Sequence, residues 1–536
     1  MFNGLYSNAS GFVDTSSIYD NWSLGPSDPL QHKAEALVTY CYPNPSMLPP
    51  GSNEAHGHDA LKQILTADNV KHFLEEFKHW QSHWPMIHMP TFNPATANDG
   101  LVLAMVCIGA VYSARLGVRE VRWLMELART CVLRSSHIYQ LAIHNARDEA
   151  PSDDRSSSDI EEIQALVLLQ CIFVWHGTQK QRQQGREEFW ALANVARRAD
   201  LLRPVPKDRP SSSVLHQPGP LDGHDINSWS WTAWIEQEKR ARALYLIFLI
   251  DASLAIFFNI PPQFDVHDIK LPLPADDAAW EARTAEDCAA TLGLRGNGAQ
   301  AKNLSGSRLP KQLGMPEAVK CLYNGNQFPE RTTNVYSKFI LIHVIHVQIF
   351  NIQRQLLAAS NISSFGNPSS GTSTPQSRNS WTPTDGTIST GTSGRASPAE
   401  GASPQYAHAH QLLRQTMSAL ELWKKIWDAD MNTQYPPHKR RLGFCRDGIH
   451  FYFLARLFLR SSRREEWANP ADIRCQQVFH LLKQIRAYVA SDSAQKGIDI
   501  GSVTTVDDNY GAQLADLTLN MALLFTRINP SPTPAE

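Results

Sequence analysis

The residues that could do chemistry are scattered along this chain, and each candidate group lacks a partner its chemistry needs. His79, His83 and His88 crowd the string HWQSHWPMIH, and His79 and His83 stand four apart, the spacing that sets two imidazoles on one helix face. A zinc-protease helix needs Glu directly after its first histidine; Trp80 stands there, and no cysteine lies nearby. The favoured reading is aromatic and histidine packing in a proline-bent loop. His343 and His346 lie in FILIHVIHVQIF, yet a helical di-iron site needs several inward glutamates and this string has none. Asp276, Asp277 and Glu281 form a D-D-x-x-x-E string that could open the magnesium–diphosphate site of an all-α cyclase. That site needs a second carboxylate and Asn/Ser cluster downstream, which is not found; the preceding LPLPA predicts a solvated acidic turn in a loop. Gly293, Gly296 and Gly298 have no strand before them and no Lys-Ser/Thr after them, so they match a phosphate loop only weakly. No G-x-S-x-G elbow occurs either. No residue is assigned a catalytic, cofactor-binding or metal-binding role.

Charge and cysteine usage narrow the partners. Lys and Arg total 50 against 52 Asp and Glu, so the basic excess of a domain that grips phosphates is missing. The eight cysteines, at 41, 107, 131, 171, 288, 321, 445 and 475, are never closer than 24 residues. A zinc module needs ligands paired closely enough for one turn to present two of them. Cys107, Cys131 and Cys171 sit in apolar runs and read as small buried hydrophobes, a usage that fits a reducing compartment. The first residues lack the charged and apolar regions of a secretory signal. The longest apolar run, 244–260, holds 17 residues, carries Asp251 and stops at Pro261-Pro262; a membrane span needs about 20, so a buried helix is expected and no membrane partner.

Asp251 is the most informative single residue. A lone ionised carboxylate inside LYLIFLIDASLAIFF would be costly to bury unpaired. Arg197 and Arg198, in the amphipathic string NVARRADLL, are the expected partners in a structural ion pair.

The elements that position these residues read as helices throughout. At 536 residues the length suggests roughly two to four compact units. Apolar residues at helical spacing predict helices over 59–80, 101–116, 118–139, 159–175, 185–202, 233–258 and 332–357, with a polar connection at 204–228 and an extended, proline-studded loop after 258. β-branched alternation is scarce, so the expected fold is all-α, a large multi-helix orthogonal bundle with long loops. Residues 1–57 read as a disordered lead-in, 58–358 as the main helical domain, 359–405 as a disordered linker rich in Ser, Thr, Pro and Gly, 406–528 as a C-terminal helical part on the same domain, and 529–536 as a disordered tail. Further helices are expected at 406–429, 444–461, 469–491 and 509–527. In the linker Thr374, Thr382, Ser397 and Ser403 each precede proline and are candidate phosphorylation sites, and Lys439, Arg440 and Arg441 are a candidate nuclear-import cluster.

Five stretches, taken in order, resemble the fungal-specific transcription factor domain, the helical middle region of fungal zinc-finger transcription factors. HWPMIHMPTFNP resembles its early loop through Trp84, Pro85, Ile87, His88, Pro90, Thr91 and Phe92. LVLAMVCIGAVYS resembles the buried helix that follows, and FWALANVARRADLLRP the helix ending in an Ala-Arg-x-Ala signature. WTAWIEQEKRARALYLIFLIDASLAIFFNIPPQF resembles the helix that carries Trp234, Glu238 and Arg242 and leads to an internal Asp; KLPLPADDAAWEA resembles the exit loop.

The resemblance covers roughly residues 60–290 and implies a nuclear regulator of RNA polymerase II genes, plausible in control of a metabolic or secondary-metabolite gene cluster. It implies no enzyme and no cofactor in this chain, with zinc only in a finger module outside it; the two-Cys two-His type is favoured. The implied partners are DNA, reached indirectly or through that module, other transcription factors or co-regulators, and a small-molecule effector. The rival expectations are an all-α, cyclase-like enzyme and a helical scaffold.

Overall fold

In the computed structural model, which describes residues 29–81, 83–144, 156–295, 307, 309–324, 328, 332–364, 404–434, 445, 448–460 and 469–495, the chain is built from helices, and several begin on a side chain that accepts a backbone proton. α1 (Pro29–Cys41) buries Leu30, Ala34, Leu37 and Cys41, a stripe at helical spacing. Lys33, itself buried, donates to Asp99 Oδ1 and to the Ala97 carbonyl, each at 2.6 Å. The expected disorder of 1–57 is therefore corrected for 29–57: the short stripe is diluted by Ser, Pro and Asn around it, and only its docking on the core reveals it. Residues 1–28 lie outside the described residues.

The helix expected over 59–80 is two, α2 (Asn53–Ile64) and α3 (Ala67–Gln81). Ser52 Oγ caps α2 by accepting from Ala55 N, and Thr66 Oγ1 accepts from Asn69 N at 3.2 Å to start α3. α4 (Asp99–Tyr112) is capped by Asn98 and buried on nearly all sides. It lies so close to α3 that a Cβ on Gly109 would sit 1.9 Å from the Phe73 carbonyl oxygen, which only glycine accommodates. The runs 118–139 and 185–202 also break. They become α5 (Val118–Ser135) and α6 (His137–His144), and, following α7 (Ser156–His176), α8 (Gln179–Glu187) and α9 (Phe189–Arg198). Thr178 and Gln181 form a reciprocal capping box at the start of α8.

After the short α10 (Gly223–Asn227) comes the central helix, α11 (Trp231–Phe258), which packs against α7 and α9. It ends where Asn259 adopts φ +57° and Ile260 N–H reaches back to the Leu254 carbonyl, just before Pro261. The loop that follows returns through α12 (Asp277–Trp280) and α13 (Ala285–Thr291), and pairs backbone with 313–315 at the entry to α14 (Met315–Tyr323). That Pro272–Gly314 bridge is isolated, and no strand occurs among the described residues.

α15 (Val335–Ser364) packs on α11, on α16 (Pro404–Gln434) and on α17 (Gly448–Arg460); α18 (Ala471–Gln495) closes on α11 and α17. One apolar core therefore runs from Leu30 to Val489. α11 and the segment Val335–Ala358 are long and apolar enough to cross a membrane, but their most apolar windows are 100% and 89% buried within the protein. Their apolarity serves this core. Residues 360–364 and 404–405 of the expected linker belong to α15 and α16. The candidate phosphorylation sites Thr374, Thr382, Ser397 and Ser403, the cluster Lys439, Arg440 and Arg441, and the helix and tail expected over 509–536 lie outside the described residues.

Candidate functional site

Trp234, Glu238 and Arg242 are spaced four apart and so share one face of α11. All three are buried, Arg242 completely. A buried guanidinium must have its donors met and its charge opposed. Arg242 Nε donates to Glu238 Oε1 at 2.7 Å, Nη1 to the Pro85 carbonyl at 3.1 Å, and Nη2 to the Ala275 carbonyl at 2.8 Å. Its plane lies 4.4 Å from the Trp280 ring centroid and 5.6 Å from that of Tyr336. Glu238 Oε1 also accepts from Ala275 N at 2.9 Å, so the ion pair grips both ends of one residue's backbone polarity. Glu238 Oε2 meets His216 Nε2 at 3.2 Å, and His216 Nδ1 meets Ser213 Oγ at 3.0 Å. Burial pushes the Glu238 carboxyl up, but Arg242 and His216 outweigh it and hold the group below the usual carboxylate range.

The early loop is built onto the same node. Gln81 Nε2 donates to the Ile87 carbonyl at 2.6 Å and Gln164 Nε2 to that of Met86 at 3.2 Å, which satisfies the buried backbone around Pro85. His88 stands edge-on to Trp280 with ring centroids 4.7 Å apart, and its Nδ1 meets Thr91 Oγ1 at 2.7 Å. Burial, with Lys239 and Arg242 close by, lowers its pKa to about 4, so it is neutral at pH 7. On the neighbouring flank of α11, Arg240 Nη2 donates to the Ala199 carbonyl at 2.7 Å and Gln237 Oε1 accepts from Val205 N at 3.1 Å, fastening the exit of α9. Stretches 84–92, 199–205, 234–242 and 271–280 thus converge on one helix. Arg242 gives one hydrogen bond from each of its three nitrogens and Glu238 is held ionised and occupied; the arrangement positions backbone segments and presents neither a nucleophile nor a free proton carrier.

Asp251 is buried, as the sequence predicts, but the expected ion pair with Arg197 or Arg198 is not formed. Its carboxylate accepts from Gln263 N (2.9 Å to Oδ1, 2.8 Å to Oδ2) and from Phe264 N (2.9 Å). Arg197 is exposed, donates to the Gln263 carbonyl at 2.5 Å and lies 5.1 Å over the Phe264 ring, so its charge acts on Asp251 only across that loop. The reason is local: the Pro261-Pro262 turn brings two N–H groups back under α11 before any side chain of α9 can reach in. Burial raises the Asp251 pKa to about 6, against the pull of those N–H groups and of Arg197.

His343 and His346 do not form a metal pair. His343 Nδ1 meets the Phe339 carbonyl at 2.8 Å, His346 Nε2 meets that of Phe451 at 2.9 Å, and the Phe451 ring lies against both. Burial lowers the His343 pKa to about 4. Asp276 is buried rather than solvated: it accepts from Ser307 N at 3.0 and 3.1 Å and from Asn334 Nδ2 at 3.2 Å, closing the return loop on the start of α15. Sequence reasoning missed the buried ion pair Lys338–Asp430, at 2.7 Å between α15 and α16, and Arg474, whose Nη2 donates to the Ile256 carbonyl at 3.0 Å. The signal for Lys338 was present: a lone charge in VYSKFILIHV, the same pattern that marks Asp251.

Residues 77–322 match the family described as the fungal specific transcription factor domain. Transcription factor verF of Penicillium polonicum is 24% identical over 51% of this chain and 37% of its own length. The nicotinate catabolism cluster-specific transcription factor of Emericella nidulans is 23% identical over 39% of this chain and 22% of its own. Zinc finger protein zas1 of Schizosaccharomyces pombe is 24% identical over 52% and 28%. The chain therefore matches only between 22% and 37% of these relatives' lengths. No solved structure matches the chain.

Proposed function

We propose that this chain regulates RNA polymerase II transcription through its helical domain, which controls or recruits partners and does not itself read bases. The observation that carries the reading is the family match over 77–322, whose motif stretches meet at Arg242. In this reading the protein works in the nucleus, and DNA is reached through a zinc-finger module, the one place for zinc, or through a finger-bearing partner. Co-regulators and a small-molecule effector are the further partners. The name of the Emericella relative supports control of one metabolic gene cluster. Phosphates at Thr374, Thr382, Ser397 or Ser403 would each add about −1.5 to −2 charge to a segment otherwise close to neutral. Lys439, Arg440 and Arg441 would serve import.

The test joins the full chain to a heterologous DNA-binding domain upstream of a reporter, with localisation and transcript levels followed in parallel. Reporter output should change severalfold, and replacing Lys439, Arg440 and Arg441 by alanine should move the protein out of the nucleus. A flat reporter, together with unchanged transcripts when the gene is deleted, would overturn the proposal. The purified chain should bind duplex DNA only weakly, without sequence preference and with strong salt dependence, because its charge is balanced. Tight binding to one sequence against excess competitor would show a base-reading surface and defeat the division of labour.

A further inference from the structure

One residue beyond Ala275, the loop that returns from α11 buries a second carboxylate, and no ion pair opposes it. Asp276 is buried at the start of α12 and takes hydrogen bonds only from neutral donors. Its Oδ1 accepts from Ser307 N at 3.1 Å and Asn334 Nδ2 at 3.2 Å; its Oδ2 accepts from Ser307 N at 3.0 Å, with Ser307 Oγ at a long 3.4 Å. A carboxylate oxygen has two lone pairs, so Oδ2 keeps room for one more partner on the Ser307 side. Lys338, close enough for Asp276 to act on its charge, spends its ammonium elsewhere, on Asp430 at 2.7 Å and on the Thr333 carbonyl at 2.6 Å. Among the described residues, Asp276 and Asp430 thus share one ammonium, and Asp277 adds to the negative potential at Asp276.

The same node leaves two oxygens bare. Gln312 Nε2 donates to Ser307 Oγ at 2.7 Å and to the Leu309 carbonyl at 3.3 Å, which fixes the orientation of its amide. Its Oε1 is buried with no hydrogen-bond partner, one hydroxyl away from the Asp276 carboxylate. Thr333 Oγ1, on the residue before Asn334, is also buried and without a partner. Gln312 is 6% exposed and Thr333 not at all. Burying a carboxylate with no opposing charge is costly even when its hydrogen bonds are made. A water would answer the Gln312 oxygen but not the charge.

We propose that this node binds one monovalent cation of sodium or potassium size, held by Asp276 Oδ2 and Gln312 Oε1 with Thr333 Oγ1 as a further donor, and that the ion fastens the return loop to the start of α15. The donor set selects the class. Every donor is a hard oxygen and no thiolate or imidazole joins them, which disfavours zinc and the softer metals. Calcium sites draw on about six to eight oxygens and commonly several carboxylates, whereas one unopposed carboxylate calls for one positive charge. Neutral oxygens replace an alkali ion's water shell, as carbonyls do in potassium filters. The loop so held also carries Ala275, which the Glu238–Arg242 pair grips, so the ion and that pair brace the same segment. The site does not depend on the transcriptional reading.

The test exchanges the folded full chain into N-methyl-D-glucamine chloride and titrates it with NaCl, KCl or CaCl2 at constant ionic strength, following the thermal midpoint. NaCl or KCl should raise the midpoint by several degrees along a saturating curve, because an ion that binds only the folded state stabilises it by mass action. Asp276→Asn should abolish that response. Gln312→Glu supplies a second variant should Asp276→Asn fail to fold. Its added carboxylate should lower the midpoint in N-methyl-D-glucamine and turn the preference towards calcium, whose addition should restore it. A glutamine that only braced Ser307 would give the loss without the calcium rescue. A midpoint that ignores the salts, or answers all of them equally, means that Asp276 holds a proton or needs no counter-ion, and overturns the proposal. So does an alkali-ion response that survives Asp276→Asn, or a Gln312→Glu chain that calcium does not rescue.

Discussion

Two buried charges on α11, Arg242 and Asp251, are satisfied in opposite ways. Arg242 is opposed by a full negative charge on Glu238, flanked by two aromatic rings and hydrogen-bonded to two carbonyls. Asp251 meets no opposite charge within ion-pair distance; two N–H groups of the loop hold it. Both nevertheless grip the same returning segment, Asp251 at Gln263–Phe264 and the ion pair at Ala275. A helix that must anchor a long irregular loop can do so by pairing charges around a peptide group or by offering a carboxylate to bare N–H groups. The first is strong only while both partners remain; the second tolerates loss of distant charge but not of the carboxylate.

The largest break should come at the ion pair. Arg242→Met leaves Glu238 charged and uncompensated and should cost about 3–5 kcal/mol in chemical denaturation, and adding Glu238→Gln should recover part of it. A loss under about 1 kcal/mol, or strict additivity, would show that the pair is not the anchor. Asp251→Ala should cost somewhat less, about 1–3 kcal/mol, since it strands the buried N–H of Phe264 and the part-buried one of Gln263 rather than a charge. The pH dependence should separate the two sites by sign. Asp251 has its folded pKa raised to about 6, so its contribution is full below about pH 4 and is lost as pH rises to about 6. Glu238 is depressed, so its contribution is present above its ordinary value and is lost as pH falls. Asp251→Asn should remove a decline in stability between about pH 4 and 6, and Glu238→Gln should remove a decline on the acid side, read as denaturation midpoints across that range. The smallest effect belongs to Arg197→Ala, under about 1 kcal/mol because the side chain is exposed. In the Asp251→Ala background it should rescue nothing; a rescue would restore the direct pairing that the geometry denies.

What was legible in advance follows the range of the interactions involved. The lone Asp251 announced that it had to be satisfied, and Trp234, Glu238 and Arg242 were singled out by the resemblance to the family's helix. The breaks at 65–66, Ser136 and Glu188 were not, because a helix run interrupted by one or two residues keeps nearly the same apolar period. α1 was lost in its surroundings for the opposite reason: thirteen residues carry too short a stripe to stand out from polar neighbours.

The sequence by itself determined the all-α class, most of the long helical runs, and that Asp251 had to be buried and satisfied, because periodicity and a lone charge in an apolar run are local signals. Only the tertiary structure decided what answers the buried charges. A backbone N–H at Gln263, a carbonyl at Pro85 and an Asp430 some ninety residues after Lys338 carry no mark in the sequence of where they will arrive, and their positions depend on how loops close around α11.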